Sequence, residues 1–158
     1  MHFKLFLQLF ISCALILTSG CASKLTANIT PDANTDDLGN IYVARFEPDK
    51  RNLNAIIAEE LNLLGYNAES GEINDKPNNT DTLVTYTDRW MWDITMYMIA
   101  IDMQFFDVDK GVPIGDAHNM RSSLLRKTPR GMIRGALYEF FDLDNPDDVA
   151  PEAAPAYN

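Results

Sequence analysis

Cysteine and histidine are nearly missing from this chain, with two of each in 158 residues. Two cysteines build no disulfide framework. Cys13 lies inside an apolar N-terminal run expected to be removed, so Cys21 is left alone. His118 would then be the single histidine, too few for a histidine-based zinc site. Basic residues are also scarce. There are 13 Lys and Arg against 23 Asp and Glu, a formal net charge of −10, and about −11 once Lys4 leaves with the N-terminal segment. That balance excludes nucleic acid as a partner, because displacing its counterions takes basic patches. It also works against adhesion of the domain to anionic headgroups, where Lys and Arg supply the attraction. No G-x-S-x-G elbow is present, "DVDKGVPIGD" lacks the spacing and final Glu of a calcium loop, and "GEINDKPNNTD" has no phosphate-binding glycines. No catalysis, metal or cofactor is expected. The apolar fraction of 46% is normal for a globular chain, and the length allows one ordinary domain.

The longest apolar run is at the start. "MHFKLFLQLFISCALILTSGC" has a short basic beginning, then about 13 mostly apolar residues from Leu5 to Leu17, too few to span a bilayer and right for a signal segment. Thr18, Ser19 and Gly20 precede Cys21. This junction resembles the lipobox of bacterial lipoproteins, which are cleaved before the Cys and acylated on its thiol; Thr18 stands where the usual pattern has Leu. An ordinary cleaved secretory signal is the alternative. Acylation gives the lone Cys21 a use, and two or three chains, at roughly 0.8 kcal/mol per buried CH₂, make a permanent anchor. Ala22 and Ser23 follow. By resemblance to enterobacterial lipoproteins, the missing Asp after the Cys implies delivery to the outer membrane, on its periplasmic side. The domain plan is therefore a signal peptide over 1–20, lipidated Cys21 and a tether over 21–39, a globular domain over 40–141, and an acidic tail over 142–158. Leu25 or Ile29 is the other place where a first strand could begin.

Within 40–141, "NIYVARF" reads as a strand. Leu53, Ile56, Ile57, Leu61 and Leu64 then share one helical face, with Asp49 as N-cap and Gly65 as the stop. Glu59 and Glu60 read as its solvated side. A weak strand follows at "YNAES", then two long strands over 82–107 and an edge strand near Pro113. Thr128 as N-cap and Pro129 at the first helical position open a last helix. Its stripe is Met132, Ile133, Ala136, Leu137, Phe140 and Phe141. Gly131 and Gly135 suggest close helix-on-sheet packing. The order predicts an α+β fold, a two-layer sandwich with a mixed, mostly antiparallel sheet of about four to five strands and two helices on one face.

The stretch "DRWMWDITMYMIAIDMQFFDVDKG" concentrates both tryptophans. With a turn at Asp93–Ile94, alternation puts Val84, Tyr86, Asp88, Trp90 and Trp92 on one side with Tyr97, Ile99, Ile101, Met103 and Phe105, pairing Trp90 with Tyr97 and Tyr86 with Ile101. That side is the expected core wall. Asp88 falls inward, where it needs a bulge to turn it out or a cation such as Arg126 or Arg130. The opposite face carries Arg89, Met91, Met96, Met98 and Asp102, and Arg89, Met96, Met98 and Asp102 form the candidate interaction face, since methionines make adaptable surface.

The run "IYVARF…NLNAIIAEELNLLGY…DTLVTYTDRWMWDITMYMIAIDMQFFD…GVPIGDA…TPRGMIRGALYEFF" resembles a group of small, uncharacterised proteobacterial lipoproteins, the Sbal-type family. More distantly, the element order is similar to lipoprotein domains of curli secretion and of penicillin-binding-protein activators. The resemblance implies a non-catalytic, lipid-anchored interaction or assembly module, with an envelope protein and, through Cys21, the membrane as partners. A binder of lipid or another small apolar ligand is the alternative. Cys21→Ala should abolish labelling by a fatty acid and leave unprocessed precursor; an unlabelled wild-type protein would contradict the anchor.

Overall fold

A short β-branched run before an amphipathic helix and a polar run, "NAESG", after it form a parallel unit here, joined by the crossover helix that parallel pairing needs. The computed structural model describes residues 23–146. In chain order the elements are β1 Lys24–Ile29, β2 Asn40–Ala44, α1 Leu53–Leu63, β3 Asn67–Gly71, β4 Thr82–Asp93, β5 Thr95–Asp107, β6 Val112–Met120 and α2 Pro129–Phe140. One mixed sheet has the order β1-β6-β5-β4-β2-β3. β2 pairs in parallel with both β3 and β4, and every other pairing is antiparallel. The expected α+β sandwich forms, with six strands and not four or five. The additional strand is β1. It lies in the stretch read as tether and takes the alternative start offered at Leu25, so the sheet includes Lys24–Ile29 and does not begin at Asn40. Its polar composition suits an edge strand, which has one neighbour and no need of an apolar run. Cys21, the signal segment and the tail from 147 onward lie outside the described residues.

Both helices cover one face of the sheet. Leu53, Ile57 and Leu61 from α1 meet Met132, Ile133, Ala136, Leu137 and Phe140 from α2 over Val43, Val84, Ile101, Met103 and Phe105. Phe140 stacks on Phe105 with ring centroids 4.0 Å apart. A Cβ added at Gly135 would lie 2.9 Å from Asn119 Nδ2 of β6, so this glycine does permit close helix-on-sheet approach. The α2 start is as expected, with Pro129 first and Thr128 Oγ1 accepting from Gly131 N at 3.1 Å. Gly65 also ends α1 with φ +95°.

Two polar nodes differ from the sequence reading. Asn52, in the left-handed region, stands at the α1 N-cap position. Asp49 lies buried just before it, and its carboxylate accepts from Leu53 N and Arg51 N, both at 2.6 Å, and from the Tyr86 hydroxyl at 2.7 Å. It caps the helix from outside the helix register and ties α1 to β4. Burial and the Asp49 hydrogen bond push the Tyr86 phenol up. Glu60 is not solvated. It is 2% exposed, between the helices, where Arg134 Nε donates to it at 2.8 Å and Arg130 at 2.6 Å. Burial alone would raise its carboxyl, but the hydrogen bonds from Arg134 and Arg130 outweigh that and hold it below its ordinary value.

Because the folded value is the lower one, this carboxylate adds stability above roughly pH 4.3, the unfolded value, and the contribution disappears as pH falls through the folded one. Glu60→Gln should cost about 1.5–3 kcal/mol at neutral pH and flatten the acid limb of stability. Urea melts between pH 3 and 7 check this; an unchanged acid limb would refute it.

Candidate functional site

β4 and β5 have 12 and 13 residues, about 40 Å at 3.3 Å per residue. The helices have 11 and 12 residues, about 17 Å at 1.5 Å per residue. The hairpin therefore runs past the layer that covers it. Where cover ends, apolar side chains stay in water. Trp92 is 69% exposed and Ile94 86%, with Met91 and Met96 about half exposed. Ile94 forms the turn between the paired Asp93 and Thr95 with φ +61°. A β-branched residue is strained there, where Gly or Asn is the ordinary choice.

A second segment joins the tip. Between β6 and α2, a 3₁₀ turn at Ser123–Leu125 leaves Leu124 and Leu125 exposed. Arg126 pins this turn to the hairpin. Its guanidinium donates to Asp93 Oδ2 at 2.6 Å and Thr95 Oγ1 at 3.3 Å, and it lies 4.1 Å over the Tyr97 ring. Trp92, Ile94, Met96, Leu124 and Leu125 thus crown one end of the sheet.

Pairing explains where the candidate face went. Arg89 lies opposite Ala100, but Trp90 lies opposite Met98, so Ile99 is an extra residue on β5. This bulge reverses the alternation. Met98 turns into the core and is 1% exposed, while Tyr97 moves to the other side, where its hydroxyl donates to Met91 Sδ. The expected pairs of Trp90 with Tyr97 and Tyr86 with Ile101 are replaced by Trp90 with Met98 and Tyr86 with Met103. Trp90 does pack on the core, with the Arg51 guanidinium 3.8 Å over its ring. Trp92 does not, which corrects its place in the core wall. Asp88 is met by neither Arg126 nor Arg130; it accepts from the Trp90 indole.

The four candidate residues are therefore not one patch. Met96 is at the tip and Met98 is core. Arg89 is exposed on the open face of the sheet. Asp102, also on β5, faces His118 of β6, with Asp102 Oδ1 2.5 Å from His118 Nδ1. Leu124 and Leu125 were missed, although an apolar pair inside the otherwise polar "RSSLLRKT" was a signal. At the opposite end of the sheet a cleft of about 650 Å³ is lined by Thr30, Asp37, Asp81, Asp107, Lys110 and Ile114. Among the described residues no cluster suits a metal ion, and no helix is long and apolar enough to cross a membrane.

Neither a family model nor a curated protein matches the chain. The fold is similar to that of PelC from Paraburkholderia phytofirmans, solved as a dodecamer, at TM-score 0.56 and 13% identity, over 75% of this chain and 98% of that one. A variant PelC dodecamer aligns at 0.55, with 13% identity over 75% of this chain and 96% of that one. These likenesses concern the fold alone. TolB from Acinetobacter baumannii aligns at TM-score 0.43 with 21% identity, over 73% of this chain and 31% of that one.

Met98→Gln should destabilise the domain by about 2–4 kcal/mol, through a buried amide without partners and lost packing. Met96→Gln should change stability by about half a kcal/mol or less. Denaturant melts of the pair test the bulge; equal small effects would place both methionines outside.

Proposed function

We propose that the protein is a lipid-anchored outer-membrane lipoprotein, facing the periplasm, whose domain acts as a non-catalytic interaction or assembly module of the envelope. The observation that carries the membrane-facing half of this reading is the apolar tip. A folded domain that holds a tryptophan, an isoleucine, a methionine and two leucines together in water, one of them on a strained turn, presents a contact surface. β1 begins three residues after Cys21, so an acylated Cys21 would tie the domain closely to the bilayer.

The open face of β4, β5 and β6 supports the assembly half of the reading. It offers Arg89, Gln104 and the Asp102–His118 pair to a polar partner. PelC, a neighbour in fold, is solved as a dodecamer, which makes further copies of this chain one such partner to look for. The lipidated protein extracted in mild detergent should have a mass above that of one chain, and photocrosslinkers at Arg89 and Gln104 should form protein adducts. A monomeric mass with no adduct from either position would overturn the reading.

A further inference from the structure

We propose that the hairpin tip is a bilayer-docking element, entering the interfacial layer of the same membrane that would hold the Cys21 lipid. The inference rests on the proposed anchor and names what meets the tip. Three independent features converge on a lipid surface.

The first is reach. Lys24 lies beside Met120, which lies beside Ala100. From Ala100, opposite Arg89, to Thr95, opposite Asp93, the hairpin advances four ladder steps, since Ile99 is the bulge, about 13 Å at 3.3 Å per residue. The tip therefore stands about 13 Å beyond the start of β1, at the end of the sheet where β1 begins. Cys21 precedes Lys24 by three residues, which extend to about 10 Å. With that linker drawn out, the lipid attachment still falls about 3 Å short of the turn. Interfacial apolar groups bury roughly 5–10 Å into the headgroup and acyl boundary. Anchor and tip meet the membrane together, and the linker is too short to hold the tip clear of it.

The second is charge. Although the chain is acidic as a whole, its tip end is basic. Lys24 opens β1, Arg51 covers Trp90, Arg89 is the neighbour of Trp90, Arg121 bonds to Ile99 O, and Arg126 and Lys127 follow Leu125. Asp49, Asp88 and Asp93 are carboxylates beside them, already engaged by the Tyr86 hydroxyl and two backbone N–H groups, by Trp90 and by Arg126. The cleft at the far end carries Asp32, Asp37, Asp81, Asp107 and Asp109. This polarity orients the domain with the tip toward anionic headgroups, each basic residue near the surface adding attraction.

The third is shape and residue type. The tip is a convex turn and not a groove, and a fluid bilayer yields to a convex wedge. Tryptophan favours the membrane interface, and leucine and isoleucine the acyl boundary.

The test uses the mature lipidated protein in vesicles of phosphatidylethanolamine and phosphatidylglycerol, with lipids brominated on the acyl chain near the carbonyl. The share of emission due to Trp92 is the difference between the wild type and Trp92→Phe. Brominated lipid should quench that share at least two-fold, and acrylamide should quench it less on vesicles than in detergent. Ile94→Ser combined with Leu124→Ser should relieve the lipid quenching while leaving the denaturant melt unchanged, since both positions are exposed. Protein that floats with the vesicles while Trp92 stays unquenched by bromine and open to acrylamide overturns the docking alone. Protein that does not float overturns the anchor and the docking with it. Lipid quenching that persists in the Ile94→Ser, Leu124→Ser variant would assign it to Trp92 on its own and overturn the five-residue tip.

Discussion

A mismatch of lengths governs this molecule. Two strands of 12 and 13 residues are covered by helices of 11 and 12, and a strand advances more than twice as far per residue as a helix. The helices can shelter only part of the hairpin. Over that part the side chains are core: Val84, Tyr86, Ile101, Met103 and Phe105 are all nearly or fully buried. Past it, the same kind of sequence becomes surface. Trp90 marks the boundary, half sheltered, with an arginine for a lid.

The covered part is held in register by polar bonds as well as by packing. Asp49 gathers two backbone N–H groups and the Tyr86 hydroxyl at the α1 entrance, so α1 cannot slide along β4 without breaking a buried cluster. Glu60 does the same between α1 and α2 through Arg130 and Arg134. Removing either carboxylate strands donors that have little water to turn to, which is the expensive way to lose a hydrogen bond. With the helices fixed at one end of the hairpin, the other end has to project.

Much of the fold was legible because it follows periodicity. The α1 and α2 stripes, Pro129 at the first helical position, Thr128 as its cap and Gly65 as a stop all depend on local spacing. β1 was legible only as an alternative start at Leu25 or Ile29, since "KLTANI" is a polar edge strand whose single partner, β6, lies more than eighty residues away. Glu60 looked solvated because its two arginines come from seventy residues on. The candidate face failed for a sharper reason. One bulge residue, Ile99, is invisible to strict alternation, yet it exchanges the sides of Met98 and Tyr97 and so divides the four chosen residues. The length mismatch itself could have been read from the segment lengths, and with it the exposure of Trp92. The basic character of the tip could not, because its residues come from five separate stretches of an acidic chain.

The proposed account ties these features into one posture: lipid and apolar tip against the outer membrane, the long strands standing away from it, and the acidic end in the periplasm. Standing and lying orientations differ in thickness. A helix layer on a sheet is roughly 20–25 Å through, whereas the strands are about 40 Å long. Neutron reflectometry of the lipidated protein on a supported bilayer measures that thickness. A protein layer of about 40 Å, with its density reaching into the headgroups, is the predicted result; a layer near 20 Å would mean that the domain lies flat, and would contradict the role given to the hairpin.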